Sequence, residues 1–258
     1  MGERFWIGTS WKMNKTLTEA AHWVGTVLSR PAPRHVSTFV VPPFTALAHV
    51  ARLAQGTDLL VGAQDVHAEP DGPHTGDVSA HLAADAGAVI AEIGHQERRA
   101  AHGETDELIN RKVLQAVRSG LRPLLCVGDL ASDRTRGTVD ATIARQVTVG
   151  LHGIAADSRP LVAYEPAWSI GVDGTPATPG DIAHAHRVIR AALETRYGRA
   201  TAADVPILYG GSVSRANCRE IARVVEVDGL FIGRAALDPE EFLAIAHAAI
   251  AARHQGAS

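Results

Sequence analysis

Eight short apolar runs recur along the chain and limit its fold more than any other feature. They are FWIGTS from Phe5, STFVVPP from Ser37, DLLVGAQ from Asp58, AVIAEIG from Ala88, LRPLLCVG from Leu121, PLVAYE from Pro160, VPILYGG from Val205 and VDGLFIG from Val227. Most are continuous and do not alternate apolar with polar residues, as expected of strands covered on both faces, the habit of parallel sheets. Helical stretches lie between them. The clearest runs from Thr178 to Tyr197: Thr178 caps, Pro179 suits the first turn, Asp181 takes the capping-box position in place of Glu or Gln, and Gly198 ends it. Ile182, Ala185, Ile189 and Leu193 fall on one face of that helix, as do Phe242, Ile245, Ala249 and Ile250 near the C-terminus. A strand and a helix roughly every 30 residues is the rhythm of a closed (β/α)8 barrel, with an open doubly wound sheet as the competing architecture. No Gly/Ser linker or low-complexity block divides the sequence, so residues 1–258 read as one α/β domain.

Charge and composition narrow the function. A formal net charge of −3, from 25 basic and 28 acidic side chains, supplies no chain-wide positive field for nucleic acid or anionic lipid. The start, MGERFWIGTS, shows neither a secretory signal nor a membrane span, and Trp6 stands where a myristoylation signal wants Ser or Thr. Cys126 and Cys218 lie far apart without metal-type spacing, which fits a reducing, cytoplasmic setting. Asn14-Lys15-Thr16 matches a glycosylation triplet, discounted in the absence of an export signal.

The unusual polar residues sit just after the apolar runs, where a barrel carries its functional loops. Lys12 follows FWIGTS, His95 follows AVIAEIG and Glu165 ends PLVAYE, while Gly210-Gly211-Ser212 and Gly233-Arg234 close the last two runs. Singly, these read as a solvated lysine, one of thirteen histidines, a surface carboxylate and turns. In a barrel all five motifs face one cavity. No His/Cys/Asp cluster shows ligand spacing, so neither a metal nor another cofactor is expected.

TSWKMNK, IGHQERR with HGETDELINRKV, AYEPAWSIG, YGGSV and VDGLFIG together resemble the signature segments of the triosephosphate isomerase family, in the family's order and from end to end of the chain. The resemblance implies a TIM barrel acting on a small sugar phosphate. Glu165 would be the base that moves a proton between neighbouring carbons. His95 would donate to the carbonyl oxygens as a neutral imidazole at a helix start supplied by Gln96, Glu97 and the arginines after them. Lys12 would hold its ammonium between phosphate and enediolate. Gly171, Gly211, Ser212 and Gly233 would bind phosphate through backbone N–H groups, and Ser10 would line the substrate site. Pro166-Ala167-Trp168 would hinge a lid with SIGVDG at its tip and the Thr-Pro-Ala region as the returning hinge. VGAQDVHAEPDGPHTGDVS resembles the loop that reaches into a second subunit, with Thr75 near its tip and Asp77 as a partner for Arg98 across a homodimer interface.

Several residues depart from the family's pattern. Ser10 stands for asparagine, Gln96 for serine, and Asp77 and Asp129 for glutamates; VDGTPA is one residue longer than the common lid. Arg234 replaces a glycine beside the expected phosphate site, where it either binds phosphate bidentately or points outward. The default expectation is interconversion of glyceraldehyde 3-phosphate and dihydroxyacetone phosphate, a step of glycolysis and gluconeogenesis. The alternative, which FWIGTSWKMNK and GLFIGR resemble, is a tetrulose-phosphate (erythrulose-phosphate) isomerase with the same proton shuttle. A non-catalytic phosphate-binding barrel ranks third, because Lys12, His95 and Glu165 are all present.

Overall fold

The computed structural model describes residues 5–30, 36–169 and 174–255. Eight parallel strands, β1 (Phe5–Ser10), β2 (Val36–Val41), β3 (Leu59–Ala63), β4 (Ile90–Ile93), β5 (Arg122–Val127), β6 (Leu161–Tyr164), β7 (Ile207–Tyr209) and β8 (Gly229–Ile232), close in sequence order into a barrel. The closure between first and last strands sets Trp6 beside Gly229 and Thr9 beside Ile232. Helices cover the outside: α1 (Leu17–Leu28), α2 (Phe44–Leu53), α3 (Ala80–Asp85), α4 (Gln96–His102), α5 (Asp106–Arg118), α6 (Ala131–Arg136), α7 (Val139–Gly150), α8 (Pro179–Tyr197), α9 (Arg199–Ala203), α10 (Cys218–Ala222) and α11 (Pro239–Gln255). The α/β (β/α)8 TIM-barrel expectation is what the chain forms. None of these helices is long and apolar enough to cross a membrane.

Strand parity divides the core in two. One face of each strand packs outward against the helices; Ile7, Val40, Ala91, Leu125, Val162 and Leu230 belong to that shell. The other face fills the barrel with Trp6, Phe39, Val41, Ile90, Leu124, Cys126, Leu161, Ala163, Leu208 and Phe231. Phe39 and Phe231 stack at 5.5 Å between centroids, and Phe39 meets Trp6 edge-on at 6.2 Å. These rings need the space that Gly8 leaves, since a Cβ there would lie 2.0 Å from the Phe39 ring. Both faces are buried, which is why the runs are continuous in sequence.

The same period of two carries polar residues to the mouth. Counting inward-facing positions toward the C-terminal ends gives Ser10 after Trp6 and Gly8, Glu92 after Ile90, Cys126 after Leu124, Glu165 after Leu161 and Ala163, Gly210 after Leu208 and Gly233 after Phe231. α8 forms as its sequence demands: Thr178 accepts from Asp181 N, Asp181 returns the bond to Thr178 N at 3.0 Å, and Ile182, Ala185, Ile189 and Leu193 are buried. Gly198 follows as the C-cap.

Candidate active site

A cavity of about 570 Å³ opens at the C-terminal ends of the strands, and its walls include Ser10, Lys12, His95, Glu97, Glu165, Gly211, Ser212, Gly233 and Arg234. Seven of these were expected to line a substrate site, while Glu97 was expected to support the start of the helix after His95 and Arg234 was left open between binding phosphate and pointing outward. The barrel thus brings together residues from the ends of β1, β4, β6, β7 and β8. Gly171 lies outside the described residues, as does most of the SIGVDG segment.

Lys12 follows β1 in a left-handed backbone conformation, φ 53°, which a non-glycine residue adopts only when its surroundings impose it. Gln64, one residue beyond β3, imposes it: its amide nitrogen donates to the carbonyls of Lys12 at 2.9 Å and of Val41 at 3.1 Å. The Lys12 ammonium then lies 2.7 Å from Glu97 Oε1, in a pair exposed enough for water to screen. Partial burial alone would raise the Glu97 carboxyl, but the bond and charge of Lys12 outweigh it and hold that carboxyl below its ordinary range.

His95 is the N-cap of α4, and its Nδ1 accepts from the Glu97 backbone N–H at 3.2 Å. An acceptor at Nδ1 leaves the proton of a neutral imidazole on Nε2. Nε2 lies 3.6 Å from Glu165 Oε1. Glu165 itself is 1 % exposed, its other oxygen reached by the Gln96 backbone N–H at 3.4 Å. The Gln96 side chain is buried against this carboxylate's surroundings, and its Nε2 has no hydrogen-bond partner among the described residues.

Behind Glu165 the chain is anchored through Asp129, fully buried after β5. Its carboxylate accepts from Tyr164 Oη at 2.7 Å and from Trp168 Nε1 at 2.9 Å, and its carbonyl accepts from Ala167 N at 3.0 Å. Burial, reinforced by Asp129, pushes the Tyr164 hydroxyl far above its ordinary range, so it stays a donor. Arg134 lies over the Trp168 ring at 4.2 Å. Gly211 closes the opposite side, where an added Cβ would meet Tyr209 Oη at 2.2 Å and Ser169 Oγ at 2.7 Å. Gly233 is different: a Cβ there would meet nothing within 4 Å, so steric crowding is no reason for its glycine. Arg234 begins the 3₁₀ turn Arg234–Leu237 and lines the cavity.

The floor holds a residue that the sequence reading missed. Glu92, 2 % exposed, accepts from Ser10 Oγ at 2.8 Å. Burial pushes its carboxyl up to about 7, with Glu165 adding to the rise while His95, the Ser10 bond and Lys12 oppose it. The signal was a lone ionisable residue inside the apolar run AVIAEI.

Spacing along the chain shows no His/Cys/Asp ligand pattern, but the fold gathers such side chains in two places. Ligating atoms of His67, His74 and Asp77 lie within 4.8 Å of one another, as do those of Glu92, Cys126 and Glu165. Chain spacing hid both, because the first forms where the loop after β3 folds back and the second across the barrel mouth. His67 Nδ1 accepts from Glu69 N at 3.1 Å, and its Nε2 lies 3.5 Å from Asp77 Oδ2. Burial raises the Cys126 thiol well above its ordinary value and keeps it protonated.

The structure is a parallel (β/α)8 barrel with an imidazole, a buried carboxylate and an ammonium around one cavity at the C-terminal ends of its strands. The family model for triosephosphate isomerase matches residues 5–249, and the chain belongs to the triosephosphate isomerase family, isomerases of sugar phosphates. Its relatives include the L-erythrulose-1-phosphate isomerase of Rhizobium etli, 42 % identical over 93 % of this chain and 90 % of that protein. The L-erythrulose-1-phosphate isomerase of Brucella abortus is 42 % identical over 94 % and 95 %. The triosephosphate isomerase of Aquifex aeolicus is 38 % identical over 93 % and 98 %.

Proposed function

We propose that the protein isomerises a four-carbon ketose phosphate, L-erythrulose 1-phosphate, and that the triose expected from the family's default activity is the secondary substrate. The observation that carries this reading is the 42 % identity, over nearly the whole chain, to isomerases named for that tetrulose, against 38 % to the triose enzyme. Ser10 at the cavity wall supports it, because a short hydroxyl there leaves more room for an extra hydroxymethyl group than a longer side chain would. A tetrulose substrate takes the chain out of the glycolytic and gluconeogenic step.

In a ketotetrose 1-phosphate the carbonyl is at C2 and the acidic proton at C3. Glu165 takes that proton, and the bonding pair moves to form the C2–C3 double bond while charge collects on the C2 oxygen. His95 Nε2–H donates to the oxygens at C2 and C3, and the Lys12 ammonium offsets the developing charge in a site partly closed to water. Glu165 then returns the proton to C2 while the C3 hydroxyl proton passes to the C2 oxygen by way of His95, and the carbonyl appears at C3. The product is a second ketose, phosphorylated at the far end, whereas a triose would give an aldose by the same route.

Ser212 and the backbone at Gly211 and Gly233 serve the phosphate, with Arg234 at its edge and Gly171 as a further backbone donor; Gln96 and Glu97 support the base and the ammonium. The chain works in the cytoplasm as a homodimer joined through the loop around Thr75. Measurement of kcat/KM on L-erythrulose 1-phosphate and on dihydroxyacetone phosphate, side by side, tests the assignment. The tetrulose should give the higher value; faster turnover of the triose would overturn it.

A further inference from the structure

The chemistry just described leaves Glu92 without a task, although it is a buried carboxyl beside the reacting groups. Inward parity of β4 sets it under the cavity floor, and Ser10, which does line the cavity, is tethered to it at 2.8 Å. A carboxylate oxygen of Glu92, the Cys126 sulfur and a carboxylate oxygen of Glu165 all lie within 4.8 Å of one another.

The groups that face Glu92 come from every neighbouring element. β1 and its loop bring Ser10 and Lys12, the turn after β4 brings His95, β5 brings Cys126 and the end of β6 brings Glu165. β3, with the sequence LLVGA, carries no ionisable side chain. Cys126 stays a thiol, so the local negative charge is divided between two carboxyls alone.

Two carboxylates this close, both shut away from water, do not ionise together without a large electrostatic cost. A base that accepts a proton from carbon must start as an anion, and that role falls to Glu165. The proton therefore belongs on Glu92. We propose that Glu92 is a positioning residue that acts as a neutral acid, anchoring Ser10 and leaving Glu165 as the single negative charge beneath the substrate. When Glu92 ionises, a second charge sits under the place where the enediolate forms, and the reaction slows. This inference rests on the isomerase reading of the same site. Its pH window follows from burial, which puts the transition near 7 and not in the ordinary carboxylate range.

The test is the pH dependence of kcat/KM between pH 5.5 and 9 for the wild type and for Glu92→Gln, whose side chain has the shape of the protonated acid and still accepts from Ser10. Ionisation of the substrate phosphate, near pH 6, gives both proteins the same rising limb. The wild type should then bend downward near pH 7. E92Q should stay on the plateau and exceed the wild type on the order of tenfold at pH 8.5. The same downward bend in E92Q, or no bend in the wild type, would overturn the proposal.

Infrared difference spectra provide a measurement independent of turnover and of the variant's folding. A protonated-carboxyl band present at pH 6 and lost by pH 9 in the wild type, and kept in Glu165→Gln with its loss moved to lower pH, belongs to Glu92; its absence at pH 6 in the wild type also overturns the proposal. The two readings fail separately. No turnover of either sugar phosphate would sink the isomerase assignment, whereas turnover with matching profiles would sink only the role of Glu92.

Discussion

At the scale of single residues, Glu165 is held more firmly than its chain position after a strand requires. Its backbone N–H donates to Val127 O at 2.7 Å, Gly210 N donates to the neighbouring Tyr164 carbonyl at 2.8 Å, and a Cβ on Gly128 would strike the Glu165 carbonyl at 2.0 Å. The main chain therefore cannot move to make up for a change in the side chain. Glu165→Asp shortens the reach by one methylene while keeping charge and basicity, and in a reaction that depends on sub-ångström placement this should lower kcat by on the order of 10²-fold or more. The loss should fall on kcat and not on KM, because the proposed phosphate contacts lie at the ends of β7 and β8. Steady-state kinetics with a circular dichroism control for folding measure it, and unchanged kcat would remove Glu165 from the role of base. Legibility was uneven at this scale. Lys12, His95 and Glu165 stood out as polar groups at the ends of apolar runs, but nothing in the sequence marks Gln64 as the residue that fixes the Lys12 backbone, because that contact joins residues 52 apart.

At the scale of elements, the strands and α8 followed directly from local rules: continuous apolar runs for strands buried on both faces, and Thr178-Pro179 with Asp181 for the helix start. Glu92 was missed for a related reason. A run read as a single apolar block conceals which of its members face inward, and that parity becomes visible only once the barrel is closed. The capping box of α8 also opens the first helix after Trp168. Thr178 Oγ1 donates to Asp181 Oδ2 at 2.7 Å, and Arg134, the same guanidinium that covers Trp168, reaches Asp181 Oδ1 at 3.1 Å. Arg134 thus links Trp168 to the start of α8. Thr178→Ala removes one cap and loosens the carboxylate that holds Arg134, so it should cost about 1 kcal/mol of stability. Denaturant unfolding would register it as a lower midpoint with an unchanged slope, and an unchanged midpoint would show that the cap contributes nothing there.

At the scale of the whole molecule, the loop after β3 is the feature that the single chain does not account for. Its base is locked: Lys112 Nζ, buried, meets Asp65 Oδ2 at 2.6 Å and Glu104 Oε1 at 2.7 Å, and Arg98 Nε reaches the same two carboxylates at 2.8 and 2.7 Å. Its tip, residues 69–77, is exposed throughout, although His67 N bonds to Val78 O at 2.8 Å and gives the loop a defined shape. A rigid base carrying an extended, exposed tip is costly to build for a surface loop, and it suits an arm that docks on another copy. Within one chain Arg98 is already committed to Asp65 and Glu104, while Asp77 faces His67, so the Asp77–Arg98 contact expected across an interface would have to add to these bonds. Light scattering should therefore give a particle of about twice the 27.2 kDa of one chain. Thr75→Arg, a bulky charge at the tip of the arm, should shift that mass toward the single chain as the protein is diluted, with kcat falling in step if the arm completes the neighbouring site. A mass of 27.2 kDa for the unaltered protein at micromolar concentration would mean that the arm serves some purpose within one barrel, and the homodimer would have to be abandoned.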